Sequence, residues 1–392
     1  MEAAFICTKE LWSQGFGGTH PLKPERLKRT YELLMAYRAF DAPDSHLVPP
    51  RPVSREELLL FHTAEYVDAV ASLSDVLSLP ALSGAEGSKG RGEARHLARR
   101  YNFRPDETPV FPGMYEIEGL KVGAALTGAR LIAEGQMQVA FSIAGGMHHA
   151  RPALASGFCV FNDVAVAIHW LMRQGLRVAY VDIDVHHGDG VQAAFYDTDQ
   201  VLTISLHQAG ILFYPGTGFP DETGTGAGYG YSINVPFLIY TSEELYLWAF
   251  RQVVPPLVRQ FAPDVLVTQL GVDTHYRDSL GSLMLTTQGY VALIEELKTL
   301  ADTIGGWLAF GGGGYAVDVV PRAWTLAYGL MSGQTFPDEL PPAYSEHYGP
   351  GWLHDTEGPE PAEPWVIEQT HEYVERSIAA LKAQTQDVWR WG

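Results

Sequence analysis

The chain predicts an α/β fold, a single domain in which a large parallel sheet is sandwiched by helices. Three observations predict it. Short apolar runs with β-branched members alternate with stretches of helical spacing, the pattern of parallel strands joined by crossover helices. Hydrophobic residues make up 46% and charged residues 19% of 392, enough apolar surface for a large core and too little charge for disorder. No break in composition divides the chain, and single α/β domains reach this length.

The elements follow in order. Residues 138–144 read as a strand and 161–173 as a helix. Residues 177–183, rich in Val, Ile and Tyr, read as a strand, and 190–195 as a short helix. Residues 201–206 and 231–235 are further strands. A long helix spans 242–261, capped by Thr241 or Ser242. A strand over 264–270, a helix over 286–304 and a strand over 307–310 complete the series. Two segments read as irregular: 83–100, a mobile or excursion loop, and 337–364, expected to wrap the surface before a final helix over 366–382. There is no internal repeat.

Basic residues number 27 and acidic residues 46, a net charge of -19. That argues against a nucleic-acid partner and suits cationic ones, although acidity equally serves solubility. Two cysteines, Cys7 and Cys159, are too few for a disulfide scaffold and fit a reduced, cytoplasmic setting. Residues 1–9 carry no signal-peptide pattern, and no run approaches the roughly 18 apolar residues of a membrane span.

In a parallel sheet, ligands bind beyond the carboxyl ends of the strands, so those ends carry the functional reading. The first strand is followed by Gly145-Gly146-Met147-His148-His149-Ala150, the second by Asp184-Val185-His186-His187-Gly188-Asp189-Gly190 with Asp182 just before. Asp273 follows the strand over 264–270, and Gly311 to Gly314 and then Tyr315 follow the last. In extended backbone Asp182, Asp184 and His186 point the same way. Crowded carboxylates need a cation, and Asp184, His186 and Asp273 make a three-ligand set of the kind that leaves zinc an open position. One such aspartate would read as a helix cap; this many do not. The adjacent His148 and His149 suit acid–base work near neutral pH, with Asp182 and Asp189 as orienting partners. A tyrosine after four glycines suits donation to an oxyanion, although Tyr315 alone would read as a packing residue. A phosphate cradle lacks its Lys-Ser or Lys-Thr, and Cys159 reads as packing rather than as a nucleophile.

These residues resemble the histone deacetylases on the class I side and, more narrowly, the bacterial acetoin-utilisation (AcuC-type) deacetylases. The matching stretches are His20 to Leu27, Thr108 to Phe111, Gly145 to Ala150, Gly157-Phe158-Cys159, Asp182 to Gly190, Ser205-Leu206-His207, Pro215 to Gly218, Asp273 and Gly311 to Tyr315. They cover about residues 20–330, the expected core of one domain over 1–392, with 337–392 as its C-terminal segment.

The resemblance implies an arginase-like fold and hydrolysis of the acetyl amide of acetyl-lysine. It implies Zn2+ on Asp184, His186 and Asp273, with Fe2+ as an alternative, and His148 and His149 flanking the attacking water. It implies K+ or Na+ at two sites: one on Asp182, Ser205 and Leu206 with carbonyls of Asp184 and His186, the other on carbonyls around Phe195, Thr198, Val201 and Tyr231. Gly157, Phe158, Tyr214 and Leu280 would line the substrate tunnel, Glu107 would sit on its rim, and Arg26 would line a channel for released acetate. Three positions depart from the pattern: Tyr214 where a phenylalanine is usual, Glu107 for an aspartate, and Met147 for an aromatic. The substrate would be an acetylated protein lysine or an acetylated small amine such as a polyamine. A two-manganese ureohydrolase, a non-catalytic acyl-lysine binding module and a cysteine hydrolase remain rival readings.

Overall fold

The structure, a computed structural model, describes residues 2–78 and 85–391. Its elements are β1 (Ala3–Ile6), α1 (Glu25–Ala36), β2 (Ser45–Val48), α2 (Arg55–Leu58), α3 (Ala64–Ser78), α4 (Ala85–Arg100), α5 (Met114–Ala133), β3 (Val139–Ser142), α6 (Asp163–Arg173), β4 (Val178–Asp182), α7 (Asp189–Ala194), β5 (Val201–Gln208), β6 (Ser232–Phe237), α8 (Glu243–Phe261), β7 (Val265–Gln269), α9 (Thr287–Ala301), β8 (Trp307–Phe310), α10 (Val320–Ser332), α11 (Pro342–Tyr348) and α12 (Pro364–Thr385).

The strands form one 8-stranded sheet in the order β2-β1-β3-β8-β7-β4-β5-β6, parallel at every pairing. The inner strands β3, β4, β7 and β8 are buried along their whole length, because helices cover both faces. Residues of α1, α8, α9 and α10 pack on one face and residues of α5 and α6 on the other. Helix starts are fixed locally: Asn162, Ser242 and Thr286 each cap their helix by accepting a backbone N–H three residues on. The α/β architecture with a large parallel sheet is therefore as the sequence predicts.

The sequence reading missed β1 and β2, four-residue strands that no motif flanks. It also took residues 83–100 for a loop. Residues 83 and 84 lie outside the described residues, but Ala85–Arg100 is helix α4. Glycine and charge mask a helical face there: Ala94, Leu97 and Ala98, at spacings of three and one, pack against the cluster that includes Tyr66 and Phe103. Residues 337–364 contain α11 and are tied down at Asp355, which accepts from the Thr287 N–H at 2.8 Å and from Arg322 at 2.9 Å.

The order of the sheet places β3, β8, β7 and β4 side by side at its centre. Their carboxyl ends therefore open onto one place. Among the described residues, no helix is long and apolar enough to cross a membrane.

Candidate active site

Asp184 and His186, just past β4, meet Asp273, just past β7, with ligand atoms all within 4.8 Å of one another. His186 Nδ1 lies 3.1 Å from Asp184 Oδ1 and 3.2 Å from Asp273 Oδ2. Ligands about 2.0–2.2 Å from a tetrahedral zinc stand roughly 3.3–3.6 Å apart, so these two spacings lie close to what such an ion needs, and the donors suit it in type. Its electrostatics fit too. Burial, and then the charge of Asp184, push Asp273 up to about 7, the response of a carboxylate pair short of positive charge.

Each carboxylate is held from behind. Asp184 Oδ1 accepts the His186 N–H at 2.9 Å, and Oδ2 accepts the Gly313 N–H at 2.8 Å and the Gln269 amide at 2.6 Å. Asp273 Oδ1 accepts the Val185 N–H at 2.9 Å. The glycine run makes this approach possible: a Cβ on Gly313 would lie 2.1 Å from Asp273 Oδ2 and 2.6 Å from Asp184 Oδ2.

His148 and His149, past β3, are buried beside this cluster. His148 Nδ1 meets Asp182 Oδ2 at 2.8 Å, and His149 Nδ1 meets Asp189 Oδ1 at 2.7 Å, the two partners expected from the sequence. Asp182 also accepts the Tyr180 hydroxyl, and Asp189 accepts Arg151 through its other oxygen at 2.7 Å.

The turn that carries the histidines is anchored by residues the sequence reading passed over. Asp163 accepts the N–H groups of Gly146 and Met147, and burial pushes it up to about 6. Asn162 donates to the carbonyls of His148 and Ala150 at 3.3 and 3.0 Å, and its own N–H bonds His62 Nε2 at 3.0 Å. The Asn162-Asp163 pair ahead of a helical run was the available signal, but it reads as an ordinary cap. Gln269, the last residue of β7, gave no signal.

Gly157, Phe158, Tyr214, Leu280 and Glu107 line one cavity of about 280 Å³ together with His149, His186, Phe213 and Tyr315. Phe213, also missed, stacks flat on His186 with ring centroids 5.1 Å apart. The Tyr214 hydroxyl hydrogen-bonds Ser156 at 2.6 Å, and the ring meets His149 edge-on. Glu107 is tied into the wall: one oxygen accepts the Gly157 N–H at 2.8 Å and the other pairs with Arg104. Tyr315 is positioned by Asp278, which accepts its N–H at 2.7 Å, and burial keeps its hydroxyl well above the usual range. Cys159 is buried, and burial pushes its thiol up, which disfavours the thiolate that a nucleophile needs.

Arg26 is buried over Trp324 and donates to the carbonyls of Gly312 and Gly314 at 2.6 and 3.2 Å. Asp182 and Ser205 are register partners on β4 and β5. Leu206 O accepts the Tyr246 hydroxyl at 3.0 Å. Of the second cation set, Phe195 and Thr198 follow α7, and Tyr231 O accepts the N–H of Thr203, two residues past Val201.

The histone deacetylase domain family matches residues 20–331. The chain is 37% identical to the acetoin utilization protein AcuC of Bacillus subtilis, over 98% of this chain and 99% of that one. It is 33% identical to the histone deacetylase RPD3 of Saccharomyces cerevisiae, over 89% and 76%. The crystal structure of an HDAC homolog from Aquifex aeolicus superposes with a TM-score of 0.82 at 30% identity, covering 96% of this chain and 100% of that one. The chain belongs to the histone deacetylase family and is a hydrolase of the deacetylase class.

Proposed function

We propose that the protein hydrolyses the acetyl amide of acetyl-lysine with a zinc ion held by Asp184, His186 and Asp273. The observation that carries this is the convergence of those three side chains with the His148–His149 pair and Tyr315 at the base of one apolar tunnel. When bound, the metal supplies Lewis acidity and a water of lowered pKa; ferrous iron suits the same donors.

The chain's own residues do the rest. Apolar walls at Phe158, Tyr214 and Leu280 receive the methylene stem, which is neutral once acetylated. Asp189 holds the proton of His149 on Nδ1, leaving Nε2 to take a proton from the attacking water and return it to the leaving amine. His148, held by Asp182, contributes positive charge. The Tyr315 hydroxyl donates to the oxyanion of the tetrahedral intermediate. Arg26 lines a small cavity behind the site, on the route we assign to released acetate. K+ or Na+ beside Asp182 and Ser205, and near Phe195, Thr198, Val201 and Tyr231, would brace the loops of β4 and β5. A cytoplasmic location belongs to this reading.

A second reading, an acetylated small amine as substrate, is favoured by Glu107. Each of its oxygens already accepts a hydrogen bond within the protein, from the Gly157 N–H and from Arg104, so part of its accepting capacity is spent before a peptide backbone arrives. Acetate release from an acetyl-lysine peptide, compared with release from an acetylated diamine, tests both. Release from neither would overturn the deacetylase reading.

A further inference from the structure

Tyr315 ends a glycine run whose backbone has little preference of its own: Gly312 and Gly314 have φ of +87 and +126. Its position must be imposed from outside. Asp278 does so by accepting the Tyr315 N–H at 2.7 Å. Asp278 itself stands on the irregular connection between β7 and α9, which also carries Asp273 and Leu280. The anchor of that connection is His275, 2% exposed. Its carbonyl accepts the Asp278 N–H at 2.9 Å. Its Nδ1 accepts the Arg277 N–H at 3.1 Å, so Nε2 carries the proton and donates to Asp355 at 2.7 Å.

Asp355 belongs to the C-terminal segment, past residue 331 where the family domain ends. Its side chain is 5% exposed. Its backbone already ties the segment to α9: the N–H donates to Thr287 Oγ1 at 2.7 Å and the carbonyl accepts the Gln288 amide at 2.8 Å. The carboxylate reaches further, to His275 and to Arg322. Arg322, 8% exposed, donates through Nε to the Asp318 carbonyl at 3.0 Å, three residues past Tyr315. One carboxylate therefore grips both stretches of chain that meet at Tyr315. A buried ion pair is weak evidence of a stability device, since apolar residues of the same volume usually serve as well. The position of its two partners is the better explanation.

We propose that Asp355 is a positioning residue for the reaction: through His275 and Arg322 it fixes Tyr315 at the base of the tunnel, so that the C-terminal segment completes the active site. The inference rests on the deacetylase reading, in which the Tyr315 hydroxyl donates to the oxyanion. Three hydrogen bonds form the relay: Asp355 to His275, His275 to Asp278, and Asp278 to Tyr315. Loosening the first lets Tyr315 shift while the metal ligands and the histidine pair stay, and a misplacement near 1 Å is worth about 100-fold in rate.

The test is a double-mutant cycle on zinc-loaded protein, read by acetate release from an acetyl-lysine peptide. Asp355→Asn keeps the shape of the side chain and removes its charge. His275→Phe keeps a ring in place, cuts the link to the loop and leaves Asp355 paired with Arg322, so it carries the test should Asp355→Asn not fold. Each should lower kcat by about 10- to 100-fold in the natural chain. In Tyr315→Phe, where the hydroxyl they position is already gone, each should cost less than about 3-fold. Bound zinc, measured on the same preparations, should not change. A loss of equal size with and without the Tyr315 hydroxyl would show general stability at work and overturn the proposal. So would full activity in a folded variant, or zinc lost along with activity. No acetate release from the natural chain would overturn the deacetylase reading and this inference together; the other three outcomes, with the natural chain active, overturn the inference alone.

Discussion

His148 and His149 face each other Nε2 to Nε2 at 3.0 Å while each turns its Nδ1 to a different aspartate. Burial lowers both, but for His148 the charges of Asp182 and Asp184 prevail and raise it to about 9. His149 is lowered to about 4 by burial and by His148. Neighbours in sequence are thus driven apart in proton affinity. His148 is thereby biased toward holding a proton and His149 toward staying neutral, the division of labour that the proposed acid–base mechanism requires.

Tyr315→Phe should lower kcat by about 100- to 1000-fold, the usual loss for one oxyanion donor. Metal content should not change, because Tyr315 is outside the ligand set. Acetate release and metal analysis on the same preparation check both; full activity would remove Tyr315 from the mechanism.

Asp189→Asn should lower kcat by roughly 10- to 100-fold with KM nearly unchanged, since it loosens the orientation of His149 without touching the tunnel. Steady-state kinetics on the acetyl-lysine peptide decide it. A change confined to KM would place Asp189 in substrate binding.

Gly157→Ala probes the wall of the tunnel. Gly157 has φ +54, and a Cβ there would lie 2.3 Å from His149 Cδ2 and 2.8 Å from the Tyr214 hydroxyl. The imidazole must move, and a misplacement near 1 Å is worth about 100-fold in rate. Undiminished turnover by a folded variant would show that the tunnel accommodates the methyl group.

His62 links stability to pH. It is 3% exposed, accepts the Asn162 N–H, and is lowered to about 3 by burial. The unfolded chain, with a histidine pKa of about 6.5, binds the extra proton between those values. The stabilising contribution is therefore fully present above pH ~6.5 and is lost as pH falls toward 3, by about 1.4 kcal/mol for each unit within the window. Urea unfolding at pH 7 and pH 5 should show the natural chain losing more stability than His62→Gln. Parallel losses would show that His62 is not the titrating group.

The residues that converge at the site were legible because each follows a strand, and a parallel sheet delivers strand ends to one edge. Asp184, His186 and Asp273 could be grouped for that reason before any coordinates. What holds them was not legible. Gln269, Asn162, Asp163 and His62 are polar residues in ordinary strand and helix settings, and the partners through which they brace the site lie 12 to 123 positions away. The same limit hid β1 and β2, whose four residues become strands only by pairing with chain far from them in sequence. Helix α4 was missed for a local reason, its apolar face being only partly buried and interspersed with charge.

The account turns on the metal at Asp184, His186 and Asp273. Acetate release from an acetyl-lysine peptide, measured as isolated, after chelation, and after adding back zinc or ferrous iron, tests it most directly. The account predicts release that disappears with the chelator and returns with metal, in proportion to metal bound. Undiminished release from protein shown to be metal-free would contradict it.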